Sequence, residues 1–453
     1  MVVSAATAET SAEIESSAAT GAAITARLDR LPIGPFHWRL LALIGAGMFF
    51  DSFDIYLAGS VLGVLARSGF STLEQNAHFV SAGLTGMVIG AFGAGWLGDR
   101  FGRRFTYQFN LAIFGLASLA SSVAPDMTIL NVTRFVCGIG LGAEIVIGYG
   151  TMVEFVPPSH RGRWGALLSL VTNFGLFAAT LVAWLIIPAF GWRWMFALAG
   201  CGALVVLWLR KAMPESPRWL AARGRTAEAE ALVASVEAQY ASLPPPVPPR
   251  RWSPADARER ALTGRLVLGS LIHIVMNVVT YGFVVWTPTF LAQHSLAINA
   301  SLGQSVLVSL GGPTGAAFGV LLNDRIGRRP AIITASLLGV VVGLAFAEAP
   351  TPELATLLGF VMFALIYFLV AVTFAGYVPE LFPTSIRMRA SGFCNTMGRL
   401  VSIGAPLVVV PLYTSGGLLA VLSGVGAMML LQAVAVGLAG RETKGRSLEE
   451  IAG

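Results

Sequence analysis

Apolar stretches of about 20 residues, the length at which a helix spans a bilayer, recur along the 453-residue chain. Six lie before residue 212 and six after residue 262, with a polar segment between them. The predicted spans are 38–65, 79–98, 106–124, 128–153, 163–188, 193–211, 264–291, 301–323, 330–349, 354–378, 389–412 and 416–439. The pattern predicts an all-α membrane protein with twelve transmembrane helices in two six-helix bundles, because a helix satisfies its own backbone hydrogen bonds in lipid.

Two short motifs occur in both halves of the chain. Asp-Arg-x-Gly-Arg-Arg fills 99–104 and again 324–329, an offset of 225 residues. Glu-x-x-Pro-x-x-x-Arg begins at Glu154 and again at Glu380, an offset of 226 residues. Two unrelated motifs at nearly one offset indicate an internal duplication, so we expect the two bundles to be pseudo-symmetric.

The charged residues are few and unevenly placed. Hydrophobic residues make up 55% of the chain and charged residues 12%, and the mean hydropathy is +0.73. Of the 30 Lys and Arg residues, 26 fall on one side of the predicted topology, the ten from 210 to 265 among them, which places both termini in the cytoplasm. The bias explains the pI of about 9.5 without nucleic-acid binding, and the three cysteines have no disulfide or metal-site spacing.

Composition divides the chain into five parts. We expect a disordered cytoplasmic tail at 1–30, because it is rich in Ala, Ser, Thr and Glu and lacks the core of a signal peptide. The first bundle is expected at 31–211, a cytoplasmic linker with short helices at 212–262, the second bundle at 263–440 and a cytoplasmic tail at 441–453.

The repeated motifs place carboxylates and arginines at the cytoplasmic ends of spans 2, 4, 8 and 10. Ion pairs between them can tie neighbouring helices together when a transporter faces outward and release them when it opens inward. The same arginines also set the topology by their positive charge. The predicted cytoplasmic gate consists of Asp99, Arg103, Arg104, Glu154, Arg161, Asp324, Arg328, Arg329, Glu380 and Arg387.

Two carboxylates, Asp51 and Asp54, lie within span 1. Three residues apart on a helix, they share one face and are within reach of each other. Because two close carboxylates in a poorly solvated site do not both ionise easily, one is expected to hold a proton. This predicts a proton-coupling site. The alternative is that Asp54 binds a backbone or hydroxyl donor and fixes span 1.

Arg399 is an arginine within span 11, and the repeat offset places Asn173 at its equivalent position in the first half. A guanidinium that faces a low-dielectric cavity can hold a carboxylate through two parallel hydrogen bonds. We therefore take Arg399 and Asn173 as candidate substrate-binding residues. A structural ion pair between Arg399 and an acid of the other bundle is the alternative.

Span 4 carries Arg134 and Glu144. They are ten residues apart, about 15 Å along a helix axis, so they cannot pair with each other. For Arg134 the alternatives are proton coupling and pairing to a neighbouring helix near the outer membrane edge. For Glu144 they are proton handling and an internal bridge.

Side chains that can stack on or hydrogen-bond a flat ligand occur in spans 7 and 10. The candidates for substrate contact are Asn277, Tyr281, Tyr367 and Tyr377. His273 would suit pH sensing, but a single histidine near a helix start is more often packed or solvated.

The repeated Asp-Arg-x-Gly-Arg-Arg signature after spans 2 and 8, with twelve spans split six and six, resembles the major facilitator superfamily. The segment 214–220, Pro-Glu-Ser-Pro-Arg-Trp-Leu, and the tail 442–450 further resemble the branch that holds sugar porters, aromatic-acid symporters and organic anion and cation transporters. The resemblance covers about 38–450, nearly the whole chain, and implies alternating access between two bundles.

Within that branch, Phe-Asp-Ser-Phe-Asp at 50–54 resembles the paired aspartates of bacterial aromatic-acid and nicotinate importers. Residues 379–387 and 395–399 are similar to organic anion transporters, in which the corresponding arginine engages the substrate's carboxylate. Arg134 opens a segment that looks like the superfamily's span-4 arginine motif, associated in relatives with proton-linked transport. The sequence departs from the sugar porters in lacking their Gln-Gln pattern at 271–277.

These observations predict a proton-coupled importer of a small aromatic carboxylate, such as nicotinate or a benzoate, in a bacterial cytoplasmic (inner) membrane. The expected partners are an organic anion, protons and lipid, without nucleic acid, and the architecture normally works as a monomer. A sugar or polyol transporter, an organic-cation transporter and a non-transporting receptor remain alternatives. The chain has no nucleophile–base set and no Walker pattern, so neither an enzyme nor a cofactor such as ATP is expected.

Overall fold

The computed structural model describes residues 23–24, 26–157, 160–240, 243, 245, 259–294, 298–382 and 387–442, and within these ranges the side chains of a few residues lie outside the description. The described part consists of helices and their connections, without strands. The first half contains six long helices and two short ones. They are α1 Pro35–Arg67, α2 Leu73–Phe101, α3 Arg103–Ser122, α4 Met127–Phe155, α5 Arg161–Phe190, α6 Arg193–Leu209, α7 Pro217–Ala222 and α8 Thr226–Glu237.

The second half repeats the six-span plan with more interruptions. Its helices are α9 Glu259–Val279, α10 Thr287–His294, α11 Ile298–Ser309, α12 Gly311–Ile326, α13 Arg328–Ala347, α14 Pro352–Val370, α15 Val378–Glu380, α16 Arg387–Ser402 and α17 Ala405–Ala439. Two π-helical segments, Thr280–Val284 and Ala371–Tyr377, interrupt the seventh and tenth spans. Such segments are frequent at functional sites.

Nine stretches in the described ranges are long and apolar enough to cross a membrane. Three more predicted spans correspond to α3, to α11 with α12, and to α16 with the beginning of α17. The helix α17 is interrupted at Gly416 and Gly417, and Gly417 has a left-handed φ of +65°. This interruption separates spans 11 and 12. The protein is thus an all-helical, multi-pass membrane protein, as predicted.

Both basic signatures turn the chain between two spans in the same way. Gly102 and Gly327 have φ values of +96° and +95°, which favour glycine, and each lies directly before the helix that follows, α3 or α13. We call the end of the molecule that carries these two turns the basic end, and the other end the opposite end.

Glycines bring α2 and α4 into close backbone contact. A Cβ atom added to Gly90 would lie 1.9 Å from the Ile139 carbonyl oxygen, and one added to Gly142 would lie 2.0 Å from that of Met87. In the second half, a Cβ atom on Gly315 would lie 2.0 Å from the Ala364 carbonyl oxygen. Small residues at helix contacts are typical of membrane bundles.

The two bundles meet in the half of the molecule towards the opposite end. Ser81 of α2 donates to the Ile403 carbonyl at 2.9 Å, and the hydroxyls of Thr180 and Ser309 are 2.6 Å apart. A Cβ atom on Gly59 would lie 2.4 Å from the Val285 carbonyl oxygen, so α1 and the seventh span pack closely there.

At the basic end, the start of the described chain packs on the linker. Residues 26–30, which the sequence analysis assigns to a disordered tail, are helical apart from a final turn. They share an apolar cluster with α7 and α8 that contains Ile24, Leu28, Leu31, Leu220, Ala221, Ala229, Val233 and Val236. Arg27 and Arg30 pair with Glu237 at 2.5 and 2.7 Å.

Candidate functional site

Asp54 of α1 forms a buried ion pair with Arg134 of α4. The Asp54 side chain is fully buried, and its Oδ1 also accepts a hydrogen bond from the Ser118 hydroxyl at 3.2 Å. The Arg134 guanidinium lies over the Phe79 ring, 5.1 Å from its centroid. Asp54 thus binds a hydroxyl donor, which is the alternative considered for it above. Arg134 pairs with a neighbouring helix, which is one of the two alternatives considered for it, and the ion pair holds α1 against α4.

Asp51 is buried but belongs to a different cluster. In the described part of the structure, neither of its carboxylate oxygens has a hydrogen-bond partner. The charged groups that act on it most strongly are Glu144, Arg210 and Asp54. Asp51 and Asp54 therefore interact electrostatically, but only Asp54 forms an ion pair with Arg134.

Glu144 of α4 pairs with Arg210, which directly follows α6, at 2.5 Å, and both side chains are almost completely buried. Arg210 also donates to the carbonyl oxygens of Leu43 and Ile44 at 2.9 and 3.0 Å. Gly47 makes room for the pair, because a Cβ atom there would lie 2.1 Å from Arg210 Nη2 and 2.4 Å from Glu144 Oε1. Arg210 is thus part of an internal bridge, whereas the sequence analysis counts it among the loop arginines.

Arg399 of α16 lacks an acidic partner in the described residues. Its Nε donates to Asn395 Oδ1 at 3.2 Å, while its Nη1 is buried without a hydrogen-bond partner there. The helix packs on α9 next to this arginine, because a Cβ atom on Gly398 would lie 2.7 Å from both the Asn277 amide nitrogen and the His273 carbonyl oxygen. The guanidinium therefore retains unused donors for an anion.

Three tyrosines from the two bundles interact with one another, and one of them also interacts with two arginines. Tyr281, in the π-helical segment of the seventh span, interacts electrostatically with both Arg399 and Arg134. Tyr367 donates its hydroxyl hydrogen to the Tyr56 hydroxyl at 2.6 Å, and this bond joins spans 10 and 1. Tyr56 lies two residues after Asp54 and is not among the candidates predicted from the sequence.

Three other candidates differ from Arg399 in what their side chains contact. Asn277 and Asn173 donate to carbonyl oxygens one turn earlier in their own helices, at 2.8 and 3.0 Å. Tyr377 is fully buried at the basic end, where a Cβ atom on Gly440 would lie 2.6 Å from its hydroxyl. Tyr377 is therefore not part of the group around Arg399.

The basic end contains two equivalent sets of contacts. Arg103 pairs with Glu154 at 3.0 Å in the first half, and Arg328 pairs with Glu380 at 3.1 Å in the second. Both pairs join helices within one bundle. Of the predicted gate residues, the side chains of Asp99, Arg161, Asp324 and Arg387 lie outside the description.

Two carboxylates with no predicted role bind the N-termini of the helices that follow the basic turns. Glu215 accepts from the backbone N–H of Arg103 at 2.8 Å, and Glu442 accepts from that of Arg328 at 3.0 Å. Each also accepts from the next residue, Arg104 at 3.2 Å and Arg329 at 3.1 Å. A carboxylate at a helix N-terminus satisfies free N–H groups and complements the helix dipole.

Comparison with known proteins gives consistent results across nearly the whole chain. A model described as Major Facilitator Superfamily matches residues 44–406. The inner membrane metabolite transport protein YdjE of Escherichia coli (strain K12) is 35% identical over 94% of this chain and 98% of its own length. The niacin transporter NiaP of Acinetobacter baylyi is 30% identical over 94% of this chain and 99% of its own length.

Among solved structures, the partially occluded inward open conformation of the xylose transporter XylE from E. coli is similar, with a TM-score of 0.73 and 21% identity. The match covers 91% of this chain and all of that structure. At this identity the likeness shows a shared fold and carries no inference about substrate.

Proposed function

The chain belongs to the Major Facilitator Superfamily, and on that premise we propose that it imports a small aromatic carboxylate, such as nicotinate or a benzoate, together with protons. As a member it is a secondary transporter of a small metabolite and not an enzyme. The substrate class, the coupling and the site residues are the proposed part.

The main support is the environment of Arg399. Its buried Nη1 has no hydrogen-bond partner in the described residues, although leaving a charged donor unsatisfied in a low-dielectric interior is costly. A bound carboxylate would supply the missing acceptors through two parallel N–H···O bonds. The niacin transporter at 30% identity makes a pyridine carboxylate a fitting substrate.

The tyrosines favour an aromatic substrate over an aliphatic one. Tyr281, Tyr367 and Tyr56 lie on three spans around the bundle interface, and Tyr281 acts on Arg399. A flat ring can stack on such side chains while its carboxylate binds the arginine.

Proton coupling is proposed for the buried charges of the first bundle. The Asp54–Arg134 pair is fully desolvated, and protonation of Asp54 would remove the attraction that ties α1 to α4. Among the described residues of this bundle, Asp51 and Glu144 are the other buried acids. Binding or release of a proton there can thus bias the helices that move during transport.

The orientation follows from the arginine bias. We place the basic end in the cytoplasm and the protein in the bacterial inner membrane, where the metabolite transport relative is located. With the bundles joined near the opposite end by Ser81, Thr180 and Tyr56, the arrangement fits a state closed towards the outside. The motif pairs at the basic end then keep each bundle rigid during rocking.

A binding panel tests the substrate class. Detergent-purified protein is heated with nicotinate, nicotinamide, benzoate, benzamide, hexoses and quaternary ammonium compounds, since ligands of the folded state raise the melting temperature. We expect stabilisation by the carboxylates and not by their amides. In Arg399→Ala the carboxylates should bind about 10- to 100-fold more weakly, because charge-assisted hydrogen bonds are lost.

The matched control is Arg389→Ala, which removes an exposed arginine from the same helix and should bind as the wild type does. Equal carboxylate affinity in Arg399→Ala and wild type would contradict the assignment of Arg399. A response to hexoses or quaternary ammonium compounds alone would overturn the substrate class.

A further inference from the structure

We propose that Asp51, Glu144 and Arg210 form a one-proton relay, in which Arg210 alternates between the two carboxylates and the proton occupies whichever carboxylate the arginine leaves. The role of this relay in transport rests on the proposed function. Its existence does not, because it follows from the charges that the fold buries together.

The buried cluster contains more acids than cations. Asp51, Glu144 and Arg210 are all at most 1% exposed, and they comprise two acids and one cation. An uncompensated buried charge is costly, so the cluster favours one bound proton and no net charge. The Asp54–Arg134 pair has one acid and one cation, and it is neutral without a proton.

Asp51 lies on the same face of α1 as the residue that contacts the Glu144–Arg210 pair. Gly47 contacts both Arg210 and Glu144, and Asp51 follows it by four residues, one turn further along the same face of α1. Arg210 donates to the carbonyl oxygens of Leu43 and Ile44, so its guanidinium already lies along this face of α1. One turn is about 5.4 Å, a distance that a long arginine side chain can cover by changing rotamers.

The position of the proton follows from which of the two carboxylates pairs with Arg210. Arg210 forms an ion pair with Glu144 at 2.5 Å, whereas no cation of the described residues forms an ion pair with Asp51. The proton therefore belongs on Asp51. Among the described residues, the other ionisable groups that interact with the cluster are Asp54 on α1, Tyr107 on α3 and Cys137 on α4.

The transfer itself is balanced. The O–H bond of Asp51 breaks, an O–H bond to Glu144 forms, and the ion pair of Arg210 passes from Glu144 to Asp51. No net charge enters or leaves the buried cluster. The proton moves from the middle of α1 towards the basic end, because Glu144 contacts Gly47 and Arg210 one turn closer to that end.

Infrared spectroscopy of purified protein at neutral pH, without substrate, tests the relay directly by the carbonyl band of a protonated carboxyl group. Wild type should show the band of one such group. Asp51→Asn should lose it, because Glu144 and Arg210 are then neutral as a pair. Glu144→Gln should also lose it, because Arg210 then serves Asp51. Asp126→Asn, which changes an aspartate at the exposed start of α4, should retain it.

The double variant Glu144→Gln/Arg210→Gln keeps the test decisive where Glu144→Gln alone does not fold. It leaves Asp51 without a cation, so the band should return. Retention of the band in Asp51→Asn or Glu144→Gln, or its absence from the double variant, would overturn the relay. Because no substrate is present, failure of the carboxylate-binding proposal leaves this result unaffected.

Discussion

At the scale of single residues, substitution of Asp54 should lower the stability of the protein strongly. Asp54→Asn leaves the Arg134 guanidinium buried and unpaired, and breaking one side of a buried ion pair typically costs about 3–5 kcal/mol. We expect a loss of that size in the free energy of unfolding, measured by reversible denaturation in mixed micelles. The double variant Asp54→Asn/Arg134→Gln should recover part of it. Equal stability of Asp54→Asn and wild type would refute a structural role for the pair.

Residues also show where the sequence was sufficient and where it was not. The spacing of Asp51 and Asp54 correctly placed both in span 1 and on a helix, but it could not predict that Asp54 alone pairs with Arg134. Arg210 follows an apolar run and precedes a proline-rich segment, so it was counted with the loop. Its burial depends on Glu144 from another helix and on the space at Gly47, and such tertiary contacts leave no local signal in the sequence.

At the scale of elements, the contact between α2 and α4 depends on glycine. Gly90→Ala would place a methyl group 1.9 Å from the Ile139 carbonyl, so the two helices must separate, at a cost of at least about 1–3 kcal/mol. Gly95→Ala on the same helix meets nothing within 4 Å and should stabilise slightly, because alanine favours helix. The melting temperatures of the two variants should therefore move in opposite directions. A shared direction would argue against close packing at Gly90.

The contact between the N-terminal segment and α8 should depend on pH. The hydrogen bond from Arg27, together with that from Arg30, lowers the pKa of Glu237 below its ordinary value of 4.5. The ion pair thus stabilises the contact at pH values above 4.5 and is lost as the pH falls through the lowered pKa. Relative to the intrinsic rate at each pH, hydrogen exchange at residues 26–31 should accelerate over that range.

At neutral pH, Glu237→Gln should reproduce this acceleration. Glu230→Gln, which changes an exposed glutamate of the same helix, should not. Identical exchange in both variants would mean that the apolar cluster alone holds the segment.

At the scale of the whole molecule, the bundles are joined near the opposite end, and transport requires that junction to open. The hydroxyls of Thr180 and Ser309 are 2.6 Å apart, so Thr180→Cys and Ser309→Cys should form a disulfide in a background without the three native cysteines. Oxidation should abolish uptake of the bound carboxylate into proteoliposomes, and reduction should restore it. Each single cysteine serves as a control. Undiminished uptake after complete cross-linking would contradict rocking at this junction.

The overall architecture was the part that the sequence predicted best. Apolar length and the duplicated motifs sufficed for an all-helical fold of two related halves, because lipid leaves the backbone few options. They did not reveal the π-helical segments or the break at Gly416 and Gly417, which depend on packing and on local backbone geometry. Glu215 and Glu442 lie in two recognisable motifs, each of which follows one half of the chain. Their capping role became evident only from the structure, in which each lies next to the turn at Gly102 or Gly327.

The positions of Glu215 and Glu442 also bear on how the polypeptide can be divided. Each carboxylate comes after the sixth span of its own half and closes a turn within that half. A break between Tyr240 and Glu259 would therefore leave Glu215 and Glu442 each in the same fragment as the helix that it caps. Two separately encoded polypeptides, co-produced in one cell, are therefore a rational starting point for a split version of this protein.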